Sequence, residues 1–179
     1  QTGAEFIHLQ NDTELAVVSE RRDDLPIRHF FPSKETVRVC IDKFESYRRW
    51  AAAGLPQPRT LFLRTPEDLD GAIREFGTPL WVRATVGAAG KGSLMVQDAQ
   101  TARAWIDFHR GWGSFTAAEY LSPQSVTWQS IWKDGELVVA QGRKRLYWEF
   151  ANRAPSGITG LTGTGVTISD PAIDDISRR

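Results

Sequence analysis

One stretch, Thr78 to Val96, restricts what this 179-residue chain can fold into more than any other. It reads as strand, glycine-rich turn, strand. Leu80, Val82 and Ala84 fall on one face of the first strand, and Trp81, Arg83 and Thr85 on the other. A guanidinium in mid-strand calls for an anionic partner, because a buried charge is costly unless paired. The turn that follows holds Gly87, Gly90 and Gly92. Glycine tolerates positive φ and has no Cβ, so backbone N–H groups there can approach a ligand closely. Lys91 adds a mobile positive charge at the tip. A fixed cation beside an amide-rich loop with its own cation suits a polyphosphate. A plain β-hairpin with a solvated lysine accounts for the same residues without a ligand.

Two familiar phosphate motifs are excluded. Gly87-Ala88-Ala89-Gly90-Lys91 has too few residues between its glycines for G-x-x-x-x-G-K-[ST], and Met95 stands where the third glycine of G-x-G-x-x-G should be. Both motifs also need a helix after the loop, whereas Leu94 to Val96 reads as a strand. No large apolar side chain anchors Val86 to Gly92, so this loop is expected to be mobile without a ligand.

Composition narrows the class. A hydrophobic share of 41% and a charged share of 25% describe a soluble globular protein, expected in the cytoplasm. With 22 basic and 22 acidic residues the formal charge is zero, which argues against a nucleic-acid partner held by a bulk positive field. Cys40 is the only cysteine, so neither an intrachain disulfide nor a cysteine-based zinc cluster can form. His8, His29 and His109 show no metal-ligand spacing. No apolar run is long enough to span a bilayer, and the N-terminus lacks a signal-peptide pattern.

In chain order, Ala4 to Leu9 is strand-like, and Asp12 is placed to cap a helix from Thr13 that Pro26 stops. This pair reads as the tail of an α/β unit, and the chain is expected to be a fragment. Ser33 caps a short helix through Ile41. Asp42-Lys43-Phe44-Glu45 has the form of a capping box, which puts Lys43 in a first helical turn where an anion is favoured. Leu55-Pro56-Gln57-Pro58 is a stiff connector. A strand at Thr60 to Leu63, a helix from Thr65-Pro66, the hairpin around the glycine loop and a helix capped by Asp98 give β-α-β-β-α, a small α+β lobe. Phe115 to Leu121 is a strand carrying Glu119. Ser125 to Trp132 alternates, Asp134-Gly135 makes a hairpin turn, and the partner strand ends in Arg143-Lys144-Arg145. A loop over Ser156 to Gly165, a short strand to Ile168 and a helix from Asp170-Pro171, with Ile173 and Ile176 inward, complete the chain.

Taken together these segments resemble the ATP-grasp superfamily, and within it the carbamoyl phosphate synthetase large-subunit type. The resemblance rests on Asp42-Lys43 with Ala53-Gly54-Leu55-Pro56-Gln57-Pro58-Arg59-Thr60, on Gly77-Thr78-Pro79-Leu80-Trp81-Val82-Arg83 with its loop, and on Ala118-Glu119-Tyr120-Leu121 before a strand hairpin. Arg83, where a lysine is the other choice, leans toward the carbamoyl phosphate synthetase branch. The resemblance implies an α+β (α/β) ATP-grasp fold of two lobes around a nucleotide cleft. Residues 1–35 would end a preceding α/β domain, 36–117 form the first lobe, and 118–179 part of the second.

It further implies that Lys43 and Arg83 contact the α- and β-phosphates of ATP, and that Gly87, Gly90, Lys91, Gly92 and Ser93 belong to the loop over the triphosphate. Glu119 would accept from the adenine amino group, with Tyr120 and Leu121 supplying backbone groups. Two departures stand out. Ser125 or Gln124 occupies the region where an acidic residue usually holds the ribose, and the ligands for Mg2+ are expected beyond Arg179, with none within this chain. The implied activity is ATP-dependent ligation of a small carboxylate or bicarbonate to an amine or ammonia through an acyl phosphate, with no turnover by this chain alone. A homodimer is left open, and a membrane partner is not expected. A non-catalytic nucleotide-binding or regulatory module is the alternative.

Overall fold

The computed structural model describes residues 3–179, which form two compact units with the boundary between Arg49 and Trp50. In the first, strand β1 (Phe6–Ile7) pairs in parallel with β2 (Arg28–His29), and α1 (Asp12–Glu20) connects them. The cap of α1 is one residue earlier than expected. The Asn11 side-chain oxygen accepts from the N–H groups of Thr13 at 2.9 Å and Glu14 at 3.3 Å, leaving Asp12 as the first helical residue. Helix α1 also stops at Glu20, before Pro26, and a short 3-10 turn at Arg22–Asp24 follows.

Helix α2 (Lys34–Ile41) starts at Ser33, whose hydroxyl accepts from the Thr36 N–H at 3.2 Å. The Arg38 guanidinium ties α2 to α1 through both Glu20 carboxylate oxygens, each at 2.9 Å. Helix α3 (Lys43–Ala52) is capped by Asp42, which accepts from the Phe44 and Glu45 N–H groups at 2.8 and 3.1 Å. The expected box is only half made. The Asp42 N–H donates to the Arg38 carbonyl, and Glu45 turns to Arg48 at 2.8 Å.

The second unit opens with β3 (Thr60–Leu63), α4 (Pro66–Phe76), β4 (Leu80–Ala84), β5 (Leu94–Val96), α5 (Ala99–Phe108) and β6 (Phe115–Glu119). The four strands form an antiparallel sheet in the order β3-β6-β4-β5, so the last strand in sequence is inserted between the first two. Leu63, Leu80, Val82 and Ala117 line one face and pack with Leu69 of α4 and Ile106 of α5, all fully buried. Both helices have the apolar spacing that covers such a face. Asp68 closes the start of α4 by accepting from the Arg64 and Thr65 N–H groups at 2.8 and 3.0 Å.

A second antiparallel sheet follows in the order β7 (Val126–Lys133), β8 (Glu136–Trp148) and β9 (Thr162–Ile168). The β7–β8 turn has φ of 51° at Asp134 and 82° at Gly135, the two positive values of a type I′ hairpin. Strand β9 begins inside the stretch expected to be loop, because Gly163 and Gly165 sit under the Tyr147 ring and the Arg143 stem, where a Cβ would collide. Helix α6 (Pro171–Arg178) is fixed to β7 by the Trp128 indole N–H, which donates to Asp174 at 2.6 Å. Ile173 is half-buried, but Ile176, expected to face inward, is 43% exposed. Among the described residues, no helix is long and apolar enough to cross a membrane.

Leu80→Ala should lower unfolding stability by about 2–5 kcal/mol, through lost transfer energy plus the cavity. Phe108→Ala, at a site 81% exposed, should change it by no more than about 0.5 kcal/mol. Urea unfolding of both variants checks the assignment of the core; equal losses would overturn it.

Candidate functional site

Strand β4 organises the site. Its pairing sets Val82 opposite Ala117 and Arg83 opposite Thr116. Leu80 and Val82 therefore enter the helix-covered core, while Trp81 and Arg83, both half-buried, emerge on the opposite face. Tyr120, just past β6, lies near Trp81 with ring centroids 6.4 Å apart.

The glycine loop leaves β4 and folds tightly on itself. The Lys91 N–H donates to the Ala88 carbonyl at 3.2 Å and the Ser93 N–H to the Gly90 carbonyl at 3.1 Å. At its end, the indole N–H of Trp105 in α5 donates to the Gly92 carbonyl at 3.1 Å. Gly90, with φ of 69°, lies so close to the loop before β9 that a Cβ would collide with the Ile158 carbonyl oxygen. That facing loop is itself pinned, since the buried Thr159 hydroxyl donates to the Glu149 carbonyl at 2.7 Å. The loop that looked unanchored in sequence thus has anchors from two distant segments. Lys91 at its tip is exposed, and Ser93 at its end is buried.

The other expected site residues are divided between the two units. Lys43 occupies the first turn of α3 in the N-terminal unit and is half-buried. Arg83, Gly87, Gly90, Lys91, Gly92, Ser93, Glu119, Tyr120 and Leu121 all belong to the second unit. Glu119 shares its face of the sheet with Ala117, and so points toward the helix side, away from Arg83. Its carboxylate accepts from the Arg59 backbone N–H at 2.9 Å and the Arg59 guanidinium at 3.1 Å. The Arg59 backbone N–H above all, and then its guanidinium, hold the Glu119 carboxyl below the ordinary glutamate value. Leu121 is exposed. The Ser125 hydroxyl is taken by the Arg145 guanidinium. Among the described residues no three His, Cys, Asp or Glu side chains gather to hold a metal ion.

Sequence reasoning passed over Trp105, Ile158 and Arg59. Trp105 carried a signal, being the large side chain on α5 nearest in the fold to the loop's return strand. The other two act through contacts 60 or more residues distant in sequence, which no local pattern encodes.

A lobe with a cation-bearing strand and a glycine loop is followed by a separate antiparallel sheet, and the loop before β9 faces the glycine loop. The chain has the ATP-grasp fold. It is 31% identical over 119 residues to a probable α-L-glutamate ligase of Alkalilimnicola ehrlichii, covering 64% of this chain and 40% of that protein. It is 29% identical over 164 residues to a phosphoribosylamine–glycine ligase of Leifsonia xyli, covering 88% of this chain and 39% of that protein. The crystal structure of carboxyaminoimidazole ribonucleotide synthase from Aspergillus clavatus, complexed with ATP, superposes with a TM-score of 0.72 at 13% identity, over 98% of this chain and 45% of that one. No protein-family model matches the chain. The chain spans about two fifths of the length of these two curated relatives.

Two outcomes are expected. Trp105→Phe keeps the ring and removes the donor to Gly92, which should cost about 0.5–1.5 kcal/mol and speed amide exchange at Gly90 to Ser93. Unchanged exchange there would show that the indole does not hold the loop. For Glu119, a carboxyl depressed in the folded state contributes stability above its unfolded pKa and loses it as pH falls through the lower folded value. Carbon-detected titration of the glutamate side chains should find its inflection below the 4.5 of an unperturbed glutamate. Arg59→Ala should raise that inflection only partway, since the backbone donor remains.

Proposed function

We propose that this chain is the ATP-binding part of an ATP-dependent carboxylate–amine or carboxylate–ammonia ligase of the carbamoyl phosphate synthetase-like type. The observation that carries the reading is the glycine loop returning from the Arg83 strand, tied at Gly92 and seated against Ile158, with the exposed Lys91 at its tip. In this reading Arg83 and Lys43 hold the α- and β-phosphates, and Gly87 to Ser93 covers the triphosphate. Adenine is read by backbone groups of Glu119, Tyr120 and Leu121, because the Glu119 carboxylate is occupied by Arg59.

A carboxylate oxygen then attacks the γ-phosphorus and the bond to the β–γ bridging oxygen breaks, releasing ADP. The amine attacks the acyl carbon, loses a proton and displaces phosphate. What the protein supplies is position and neutralisation of charge on the transferring group. Among the described residues no side-chain cluster forms a cradle for a divalent cation, so the charges this chain brings to the triphosphate are those of Arg83, Lys43 and Lys91. Nucleotide binding without turnover is the behaviour this chain should show by itself. A non-catalytic nucleotide module is the second reading, favoured by Ser125, which is engaged by Arg145 where an acidic residue would hold ribose.

Calorimetric titration should show ATP binding that Arg83→Ala weakens about ten- to a hundredfold, the equivalent of about 1.5–3 kcal/mol for one charge-assisted contact. Equal affinities would sink the phosphate assignment. A non-hydrolysable ATP analogue should also slow amide exchange across Gly87 to Gly92; a loop equally protected with and without it is a structural hairpin only.

A further inference from the structure

Helix α5 carries two stripes at helical spacing, and the core uses only one of them. Ala99, Ala102 and Ile106 recur at i, i+3 and i+7 and turn toward the sheet, with Ala102 and Ile106 fully buried. Thr101, Ala104, Trp105 and Phe108 recur at i, i+3, i+4 and i+7, rotated off that face toward the open edge of the sheet at β5. There they meet Leu94, which pairs with Val82 and so lies on the helix side of β5. Leu94, Gln100, Thr101, Ala104 and Trp105 line a groove of about 390 Å³. One turn beyond Ala104 stands Phe108, 81% exposed, its ring stacked on Trp105 with centroids 6.4 Å apart.

A single exposed phenylalanine is ordinary on a protein surface. An exposed phenylalanine beside a groove on the same stripe, with no element of the fold over either, asks for an occupant. Neither charged residue of α5 lies on this stripe. Arg103 turns to Asp70 of α4 at 2.7 Å, and Asp107 accepts from the Trp112 indole at 2.6 Å. Two copies of the stripe can therefore approach without like charges meeting. The stripe is also self-complementary. Its knob, Phe108, stands at the C-terminal end of α5, and its groove is built by residues nearer the N-terminal end. Antiparallel packing about a two-fold axis brings each knob to the other copy's groove and fills both at once. The axis then passes between Ala104 and Trp105, and each Phe108 lies over Thr101 of the other copy. Ala104, at the centre, has the small side chain that lets two helices come close.

We propose that this stripe of α5 is a self-association surface whose occupant is a second copy of the chain in antiparallel register. Two helices about 15 Å long cover less than the roughly 1,200–2,000 Å² of a standard stable interface, so the dimer is weak and concentration-dependent. Docking also bears on the glycine loop. The second copy's Phe108 closes over Trp105, whose indole N–H holds the Gly92 carbonyl at 3.1 Å. Association therefore braces the anchor of that loop from the helix side of the sheet. The surface does not depend on the ligase reading.

Sedimentation equilibrium of the whole chain, from micromolar to millimolar concentration, should show a reversible monomer–dimer transition. Phe108→Asp puts a charge into the groove and should weaken association about tenfold or more, at a position too exposed to disturb the fold. Mixing Phe108→Glu with Thr101→Lys should restore association between the two variants, because one Glu–Lys pair and one native contact then form. A chain that stays monomeric throughout overturns the proposal. So does a dimer indifferent to Phe108→Asp, since it uses another face. The rival occupant is a small apolar molecule: if the Trp105 indole resonance shifts saturably with benzyl alcohol while the chain remains monomeric, the second-copy assignment falls. Amide exchange at Gly90 to Ser93 should slow as the wild-type chain is concentrated, and should not in Phe108→Asp. Exchange independent of concentration overturns the bracing of the loop.

Discussion

The pairing of β4 with β6 is the constraint on which the rest depends. Because side chains alternate with period two, slipping this pairing by one residue would carry Arg83 under α4 and α5 and turn Leu80 and Val82 outward. Each of the two aliphatic side chains contributes about 1.5–3 kcal/mol by its burial. An unpaired guanidinium in the same place would cost several kcal/mol more. Both effects favour the same register, so the direction in which β4 launches the glycine loop is over-determined. The return path is just as narrow: a Cβ on Gly92 would lie 3.2 Å from the Ala84 Cβ and 3.3 Å from the Phe115 ring. A loop made of residues with almost no side chains is therefore positioned by the core beneath it.

Local chemistry made much of this readable in advance. Ser33, Thr65-Pro66 and Asp98 each start a helix where a capping side chain precedes an apolar stripe. The Asp134-Gly135 turn and strand β3 could be placed from a few neighbouring residues, because turn chemistry and short apolar runs are local signals. What stayed hidden was non-local. The parallel pairing of β1 with β2 rests on two residues in each strand. The insertion of β6 between β3 and β4 depends on hydrogen bonds that no periodicity announces. Asn11 takes the cap in place of Asp12 because both residue types accept equally well from the first free N–H groups, so a local pattern cannot choose between adjacent positions. Strand β9 looked like loop because its glycines, read alone, signal turns; in place they make room for Tyr147 and Arg143.

The candidate site divides the same way. The cation on β4, the glycines and the lysine at the tip were evident as residue types in a pattern. Whether a polar group is free to act was not, since that depends on who else claims it. Glu119 is the clearest case: a carboxylate at a strand end reads as available, yet Arg59, sixty residues earlier, takes both its oxygens. Arg145 is the converse. A charge run at a strand end reads as solvated, yet this guanidinium is wrapped by hydroxyls and a tryptophan.

These two cases explain why a net charge of zero says so little about what the chain can bind. Acidic residues are matched where helices and strand ends need them: Glu20 with Arg38, Asp70 with Arg103 at 2.7 Å, Glu119 with Arg59. Each such pair offsets a cation locally. Among the described residues, the polar face of the second sheet receives no carboxylate, so its guanidiniums remain uncompensated although the whole molecule is balanced. Screening makes that distinction matter. At about 0.1 M salt, charges more than about 10 Å apart on the surface hardly sense one another, so an arriving anion responds to the local charge and not to the total. A chain that is neutral in composition can therefore be locally cationic wherever its guanidiniums have no carboxylate beside them.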